Sequence, residues 1–159
     1  TFLIWNYWML NRSLINKKYP PLNFNIQKQR MILFAKATGQ TDPVYFDEST
    51  AKAKGYPSLI ATPTFLTVVI HEQDNPYEYL NDLSVDLGRI LHVGQVYKYH
   101  EPIFADDIIT MAGQIVNMFD KKNGALQFLE FESKYTNQKN MLVAESLSTM
   151  VFPSAKKLS

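Results

Sequence analysis

The sequence predicts one α+β domain in which a long antiparallel sheet curls around a single hydrophobic helix. Three observations predict it: helical patterns fill the first half of the chain, strand patterns joined by tight turns fill the second half, and one strongly apolar helix lies between them. Helices and strands segregated in this way are typical of α+β proteins. Strands of about twelve residues exceed the usual five or six, so the sheet must curl to bury one face.

The composition fits one globular domain and excludes several classes of protein. The chain has 159 residues, of which 46% are hydrophobic and 19% charged, which is unlike a disordered chain. A formal net charge of +1 creates no field that would favour nucleic acid or an anionic membrane. Because cysteine is absent, disulfide scaffolds, thiolate metal sites and cysteine nucleophiles are excluded. We expect a cytoplasmic protein without a cofactor.

Both ends are predicted to be appendages of a single domain that spans residues 17–153. Residues 1–10 are nearly all apolar but far shorter than the roughly 20 residues that a membrane helix needs. Positive residues follow this stretch, whereas a secretory signal places them before it. We therefore expect residues 1–16 to form an N-terminal appendage, not necessarily native throughout, and residues 154–159 to form a polar tail.

Helical patterns occupy the first half of the chain. Asn25 is predicted to cap a helix of about three turns that ends at Gly39. A second short helix is predicted over residues 47–54. The pair Thr62-Pro63 then supplies a cap and a first-turn proline for the apolar run over residues 64–70, which is predicted to be the buried central helix.

Strand patterns occupy the second half of the chain. They are predicted over residues 95–100, 108–119, 125–136 and 141–152. The turn before the third strand contains Asn123-Gly124, which tolerates the positive φ of tight hairpins. In the third strand Leu129, Phe131 and Tyr135 share one face, with Gln127 as a polar exception.

Several common motifs are missing from the sequence. It contains no GxGxxG, GxxxxGKS/T or GxSxG, so nothing indicates a dinucleotide-binding, P-loop or α/β-hydrolase protein. The three histidines, His71, His92 and His100, lack HExxH spacing, and no metal site is predicted. His71 ends the apolar run and is expected to cap it or lie on the surface.

One segment carries a family resemblance. Residues 34–65 read FAKATGQTDPVYFDESTAKAKGYPSLIATPTF and resemble the signature of MaoC-like dehydratases and hydratases. Weaker similarity continues in RILHVGQ at 89–95 and YHEPIFADD at 99–107 and covers residues 17–153 in all. The chain looks most like the N-terminal MaoC dehydratase branch, which includes the non-catalytic A and C subunits of mycobacterial-type 3-hydroxyacyl-acyl-carrier-protein dehydratases. The resemblance implies a hot-dog fold and acyl thioesters of coenzyme A or acyl carrier protein as ligands.

The catalytic loop of that family, S/T-G-D-x-N-P-x-H, is altered here. Aligned on Gly39 and Pro43, Gln40 replaces the Asp, Asp42 replaces the Asn, and Tyr45 replaces the His. A glutamine amide does not titrate, and a tyrosine near its reference pKa of about 10 is a poor base at neutral pH. The resemblance thus implies that these positions are degenerate. Alternatively, Asp42 is an Asx-turn residue and Tyr45 a packed aromatic.

A second departure concerns the start of the central helix. The family's His-Gly pair corresponds to Thr62-Pro63, and proline has no backbone N–H to stabilise enolate charge on the thioester oxygen. Losing one such donor typically costs about 100–1000-fold in rate. The resemblance assigns substrate contacts to Thr62, Pro63, Thr64 and His92. Alternatively, the first three only start a helix and His92 is a structural histidine.

Three functions follow as hypotheses. The leading one is a subunit of an acyl-thioester dehydratase or enoyl hydratase, which binds the acyl chain while a catalytic MaoC-like subunit supplies the Asp and His. The second is a homodimeric, non-catalytic protein that binds acyl-CoA or acyl carrier protein. The third is a self-sufficient hydratase or thioesterase in which Asp42 or Glu72 supplies a carboxylate and His92 or Tyr45 donates a proton. No nucleic-acid or membrane partner is expected.

Overall fold

The computed structural model describes residues 9–85 and 87–154, and its centre is a five-stranded antiparallel sheet. The strand order is β1-β3-β4-β5-β2. The strands are β1 Leu22–Asn25, β2 Leu91–Tyr99, β3 Ile108–Lys121, β4 Leu126–Thr136 and β5 Leu142–Pro153. The helices are α1 Lys28–Ala37, α2 Glu48–Ala53, α3 Leu66–His71 and α4 Glu78–Asp82. Among the described residues, no helix is long and apolar enough to cross a bilayer.

The long strands are confirmed, and the sheet bends at defined points. β3, β4 and β5 contain 14, 11 and 12 residues, and adjacent pairs run antiparallel. The register shifts between His92 and Gly94, between Ile115 and Asn117, and between Tyr135 and Thr136. Such irregularities strengthen the local twist of a sheet. They are placed to help the sheet curl over its buried face.

A first hydrophobic cluster forms around α3. Leu66 and Val69 are 1% and 0% exposed, which confirms the predicted burial of this helix, although it has only six residues. α1 contributes Met31 and Ala35 to the same cluster, and α2 contributes Ala51. The sheet side of the cluster consists of Phe24, Ile109, Met111, Tyr135, Val143 and Ala144.

A second cluster covers the other half of the sheet, where one central helix was expected to suffice. It is formed by Leu10, Tyr79, Leu80, Leu83, Ile115, Met118, Leu129, Met150 and Phe152. The backbone N–H of Leu10 donates to Gln127 Oε1 at 2.7 Å. The described part of the predicted N-terminal appendage therefore contributes to the core. Residues 1–8 and the predicted tail beyond Ser154 lie outside the described residues.

Two predicted helix starts are wrong. Asn25 is the last residue of β1, and α1 is preceded by Gln27 in an extended conformation. α3 begins at Leu66 rather than beside Thr62-Pro63, because Thr64 has a φ of +70°. A left-handed residue cannot belong to a right-handed helix. The predicted end at Gly39 is confirmed, since Gly39 has a φ of +72°.

We expect Gly113→Ala to destabilise the sheet, because a Cβ at Gly113 would lie 2.5 Å from Cε1 and Cζ of Phe131. The Phe131 ring cannot retreat freely, since it stacks on Tyr79 with centroids 4.3 Å apart. Overpacking of this kind typically costs about 1–3 kcal/mol in the free energy of unfolding, measured by urea denaturation. In the control Gly94→Ala the new Cβ meets Thr149 at 3.4 Å, and we expect little change. Equal losses in both variants would contradict the steric argument.

Candidate functional site

Three of the residues predicted for the site lie together in one cleft beside α3. Tyr45, Thr62 and Pro63 contribute to its lining, and its volume is about 350 Å³. The other lining residues are Ile60, Ala61, Phe65, Leu66, Tyr99, His100, Glu101, Pro102 and Ile103. Most of these are apolar. The cleft is thus a mainly hydrophobic recess with a few hydroxyl and carboxylate groups.

The turn before α3 determines which backbone donors the cleft offers. Pro63 has no N–H, and the N–H of Thr64 donates to the hydroxyl oxygen of Tyr99 at 2.9 Å. The positive φ of Thr64 is unusual for a β-branched residue and is a form of local strain. Burial raises the pKa of Tyr99, so its hydroxyl stays protonated near neutral pH. That hydroxyl keeps its own proton to donate.

Thr62 lines the cleft, but its hydroxyl oxygen is enclosed by the protein. The residue is 4% exposed, and its Oγ1 has no hydrogen-bond partner among the described residues. A buried polar atom left unpaired costs about 1–3 kcal/mol. In native structures such atoms are commonly paired with an ordered water.

The degenerate loop positions Gln40 and Asp42 are not among the residues that line the cleft. Asp42 Oδ1 accepts the N–H of Val44 at 3.0 Å, and both carboxylate oxygens lie 3.1 Å from Lys54 Nζ. These bonds, led by that from Val44, lower the pKa of Asp42. Asp42 therefore caps the 3-10 turn Pro43–Tyr45. Gln40 follows α1, and its N–H donates to Ala35 O.

His92, the remaining predicted site residue, lies in a different cavity. This second cavity has a volume of about 230 Å³ and lies between α3, the segment leading to α4, and the concave face of the sheet. Its apolar lining includes Ile70, Met111, Phe131 and Met150. The structure thus divides the predicted contacts: Tyr45, Thr62 and Pro63 line the cleft, His92 lines the second cavity, and Thr64 is not among the lining residues of either.

The cleft and the second cavity adjoin at two tyrosines of β2. Tyr99 lines the cleft and Tyr97 lines the second cavity. Their rings stack with centroids 6.0 Å apart and an angle of 19°. The Tyr97 hydroxyl lies 2.6 Å from Oγ1 of Thr67, which ties the pair to α3. An elongated ligand that occupies both spaces would have to pass this tyrosine pair.

His100 borders the cleft, but its imidazole is engaged elsewhere. Its Nε2 lies 2.9 Å from Oε2 of Glu145, and this bond is the main cause of a lowered Glu145 pKa. Glu145 lies opposite Lys98 and Lys134 on the neighbouring strands, and the next residue, Ser146, is buried at 3% exposed. Because neighbouring residues of a strand alternate between faces, Glu145 lies on the outer face. The imidazole of His100 is therefore directed away from the cleft.

Glu101 is a carboxylate at the cleft that sequence reasoning missed. It is exposed and lines the cleft together with Tyr45 and Tyr99. The alternation of Tyr97 and Tyr99 just before Glu101 is the signal that could have indicated this part of the site.

Glu72, which was considered as a carboxylate source, instead pairs with Arg30. Among the described residues, no group of three or more His, Cys, Asp or Glu could hold a metal ion.

Comparison with known proteins relates the chain to dehydratases. Residues 13–146 match the family described as FAS1-like, dehydratase domain region. The UPF0336 protein of Streptomyces avermitilis is 32% identical over 107 residues, which are 67% of this chain and 71% of the relative. The UPF0336 protein of Saccharopolyspora erythraea is 28% identical over 143 residues, covering 89% and 90%.

Solved structures share the fold. A chain of the C-terminally truncated HadBC (3R-hydroxyacyl-ACP dehydratase) complex of Mycobacterium tuberculosis superposes with a TM-score of 0.72 at 27% identity, covering 87% of this chain and 96% of that one. A MaoC-like dehydratase gives a TM-score of 0.77 at 18% identity, covering 90% and 43%. An (R)-hydratase of A. caviae gives 0.68 at 15% identity, covering 87% and 96%. The predicted hot-dog fold and MaoC-like resemblance are confirmed.

We expect Tyr99→Phe to release the Thr64 amide, because the hydroxyl oxygen that accepts its proton is removed. Hydrogen exchange at the Thr64 amide should accelerate about two- to tenfold, in line with the loss of one net hydrogen bond, as measured by NMR. The matched control is Tyr97→Phe, which removes the contact with Thr67 Oγ1 and leaves the Thr64 acceptor in place. Unchanged exchange in Tyr99→Phe would show that this bond does not protect the turn.

Proposed function

The chain belongs to the family of FAS1-like dehydratase domain regions, and from that premise we propose that it is an acyl-binding subunit of an acyl-thioester dehydratase or hydratase. Its hot-dog neighbours support a general acyl-thioester dehydratase-type role. The finer proposal is that this chain holds a 3-hydroxyacyl or enoyl thioester of coenzyme A or acyl carrier protein. A MaoC-like partner then supplies the acid and base.

The single observation that carries the proposal is the turn over residues 62–64. Addition or loss of water next to a thioester builds negative charge on the carbonyl oxygen, which needs a preorganised donor. Pro63 offers none, and the Thr64 N–H is taken by Tyr99. The Asp42 carboxylate is held by Lys54 and does not line the cleft. These features favour binding over catalysis by this chain alone.

The polar contacts of the cleft and the apolar surface of the second cavity are suited to holding a thioester. The free proton of the Tyr99 hydroxyl provides a polar contact at the cleft. The adjoining second cavity, with Ile70, Met111 and Met150 in its lining, provides apolar surface for the acyl chain. Burying apolar surface contributes about 25 cal/mol per Å². In this proposal the thioester group lies near Thr62 and the chain extends past Tyr97.

The strand β2 is the surface that we propose for the partner. It forms one edge of the sheet, and its side chains Leu91, Val93 and Val96 are 59%, 52% and 61% exposed. An edge strand presents unpaired N–H and C=O groups that can pair with another chain. The HadBC structure is a complex of dehydratase subunits, which supports a hot-dog dimer here, either with itself or with a catalytic MaoC-like subunit.

A second candidate function rests on Glu101. Its carboxylate borders the same cleft as Tyr45 and Tyr99, and one carboxylate with one phenolic donor is a set that general acid–base chemistry can use. In that case the chain would be a self-sufficient hydratase or thioesterase with a rearranged site. Asp42 is not suited to the same role, because its carboxylate is paired with Lys54.

We expect the purified chain alone not to hydrate trans-2-octenoyl-CoA or hydrolyse octanoyl-CoA. Mixed with a subunit of the same genome that has an intact S/T-G-D-x-N-P-x-H loop, it should co-elute and show hydratase activity, because the partner supplies the missing acid–base pair. Turnover by the lone chain that Glu101→Gln abolishes and the control Asp42→Asn preserves would establish the second candidate instead. No association and no turnover, with tight calorimetric binding of acyl-CoA, would indicate a homodimeric binder.

We expect Val96→Lys to weaken pairing through β2, because an added charge on an exposed edge opposes strand association. The apparent mass in size-exclusion chromatography with light scattering should shift towards the monomer, whether the partner is a second copy or a MaoC-like subunit. The matched control is Leu33→Lys, which adds the same charge at a 68% exposed position on α1. Dissociation by both variants, or by neither, would argue against β2 as the interface.

A further inference from the structure

Aromatic rings from separate parts of the chain converge on the second cavity. Tyr19 comes from the segment before β1, Tyr77 and Tyr79 come from the start of α4, Tyr97 from β2 and Phe131 from β4, and all of them line the cavity. Of these rings only that of Tyr79 belongs to a fully buried residue. The others keep accessible surface that a ligand can contact.

Contacts with one another and with polar groups hold these rings in place. Tyr79 stacks on Phe131 with centroids 4.3 Å apart, and the Tyr19 ring lies 6.2 Å from the first and 5.7 Å from the second. The Tyr19 hydroxyl donates to Asp82 at 2.8 Å. Walls that are already ordered lose little conformational freedom when a ligand binds. The rings are thus a preformed aromatic surface.

Hydrogen-bonding side chains lie between the rings, which makes the lining unlike that expected around a plain alkyl chain. They include Thr67, Gln73, Asn75, Ser133 and Ser148. Amide and hydroxyl donors interact weakly with the face of an aromatic ring, whereas an alkyl chain offers them no negative face. An aryl ring also gains from edge-to-face or offset contacts with protein rings beyond its buried area. The mixed lining therefore favours an aryl group over an alkyl group of similar size.

We propose that the second cavity receives the aromatic ring of an aryl-bearing acyl group. The inference rests on the proposed acyl-binding function and adds the class of acyl group. A cavity of about 150 Å³ can hold a benzene ring, so the 230 Å³ found here is sufficient for one ring. The stacked pair of Tyr97 and Tyr99 extends the aromatic surface to the cleft, where the thioester lies in the proposed function.

The test is calorimetric binding of paired probes to the full chain, in which the members of a pair differ only in whether the terminal ring is phenyl or cyclohexyl. The phenyl probes are 3-phenylpropanoyl-, 5-phenylpentanoyl- and 7-phenylheptanoyl-CoA, which sample several spacings between thioester and ring. Cyclohexyl is the more hydrophobic ring, so burial of apolar surface alone would favour it. We expect at least one phenyl probe to bind about two- to tenfold tighter than its cyclohexyl counterpart, as one favourable aromatic contact predicts.

Variants at Tyr77 separate the ring from its hydroxyl, which lies 3.4 Å from Nε2 of His71. Tyr77→Leu should lower the ratio of phenyl to cyclohexyl affinity at least twofold, and Tyr77→Phe should preserve it. Because Tyr77 is 38% exposed, both variants are expected to fold. Phe131→Leu, a change nearer the core, should lower the ratio as well. The matched control is Phe128→Leu, since Phe128 stacks on Phe119 and does not line the second cavity.

Three results would overturn the assignment: no phenyl probe is preferred, neither Tyr77→Leu nor Phe131→Leu lowers the ratio, or Phe128→Leu lowers it equally. Binding of octanoyl-CoA without binding of any ring-bearing probe would overturn it too, and would leave the acyl-binding function standing. Failure of every probe to bind, octanoyl-CoA included, would instead defeat the proposed acyl-binding function itself.

Discussion

The constraint on which the structure depends is the size of the concave face of the sheet relative to the helix that covers it. β3, β4 and β5 are each more than ten residues long, whereas α3 has only six. Exposed apolar surface is costly, so α4 and the segment around Leu10 cover what α3 leaves bare. The second cavity lies where the two coverings meet, since its lining takes Met111 from the first cluster and Met150 from the second. The cavity is therefore a consequence of how the sheet is covered.

The chemistry of the cleft follows from one strained residue. Thr64 adopts a positive φ between Pro63 and α3, and its N–H then meets the hydroxyl of Tyr99 instead of a ligand. The same bond that stabilises the turn removes the donor that enolate chemistry would need. In the proposed binding role, the cleft needs no free donor at this point. The turn can then be stabilised by protein groups alone, which agrees with the altered positions Gln40 and Tyr45 that the family resemblance implies.

Local signals in the sequence predicted local features, and contacts between distant residues account for what they missed. The end of α1 at Gly39 and the hairpin at Asn123-Gly124 were predictable, because a positive φ favours these residue types. Gln127 was taken as an exception on its strand, yet it is 2% exposed, since its Oε1 accepts the N–H of Leu10, 117 positions away. The cleft residues were predictable only through family resemblance. Tyr99 was missed because its partner, on the turn before α3, is far away in the chain.

One strand, β2, borders the cleft, the second cavity and the edge proposed for a partner. Side chains of a strand alternate between faces, so Tyr97 and Tyr99 face the second cavity and the cleft, while Val96 is exposed on the other side. The outer backbone edge of the same strand is the one proposed for a partner. A subunit that pairs with this edge would hold in place the backbone that carries both tyrosines. Coupling between two binding events is reciprocal: if association tightens acyl binding by some factor, a bound acyl chain must tighten the association by the same factor. In the proposed role, a subunit that catalyses no step itself could therefore still influence turnover, because it would associate most tightly with its partner when the preferred acyl chain is bound.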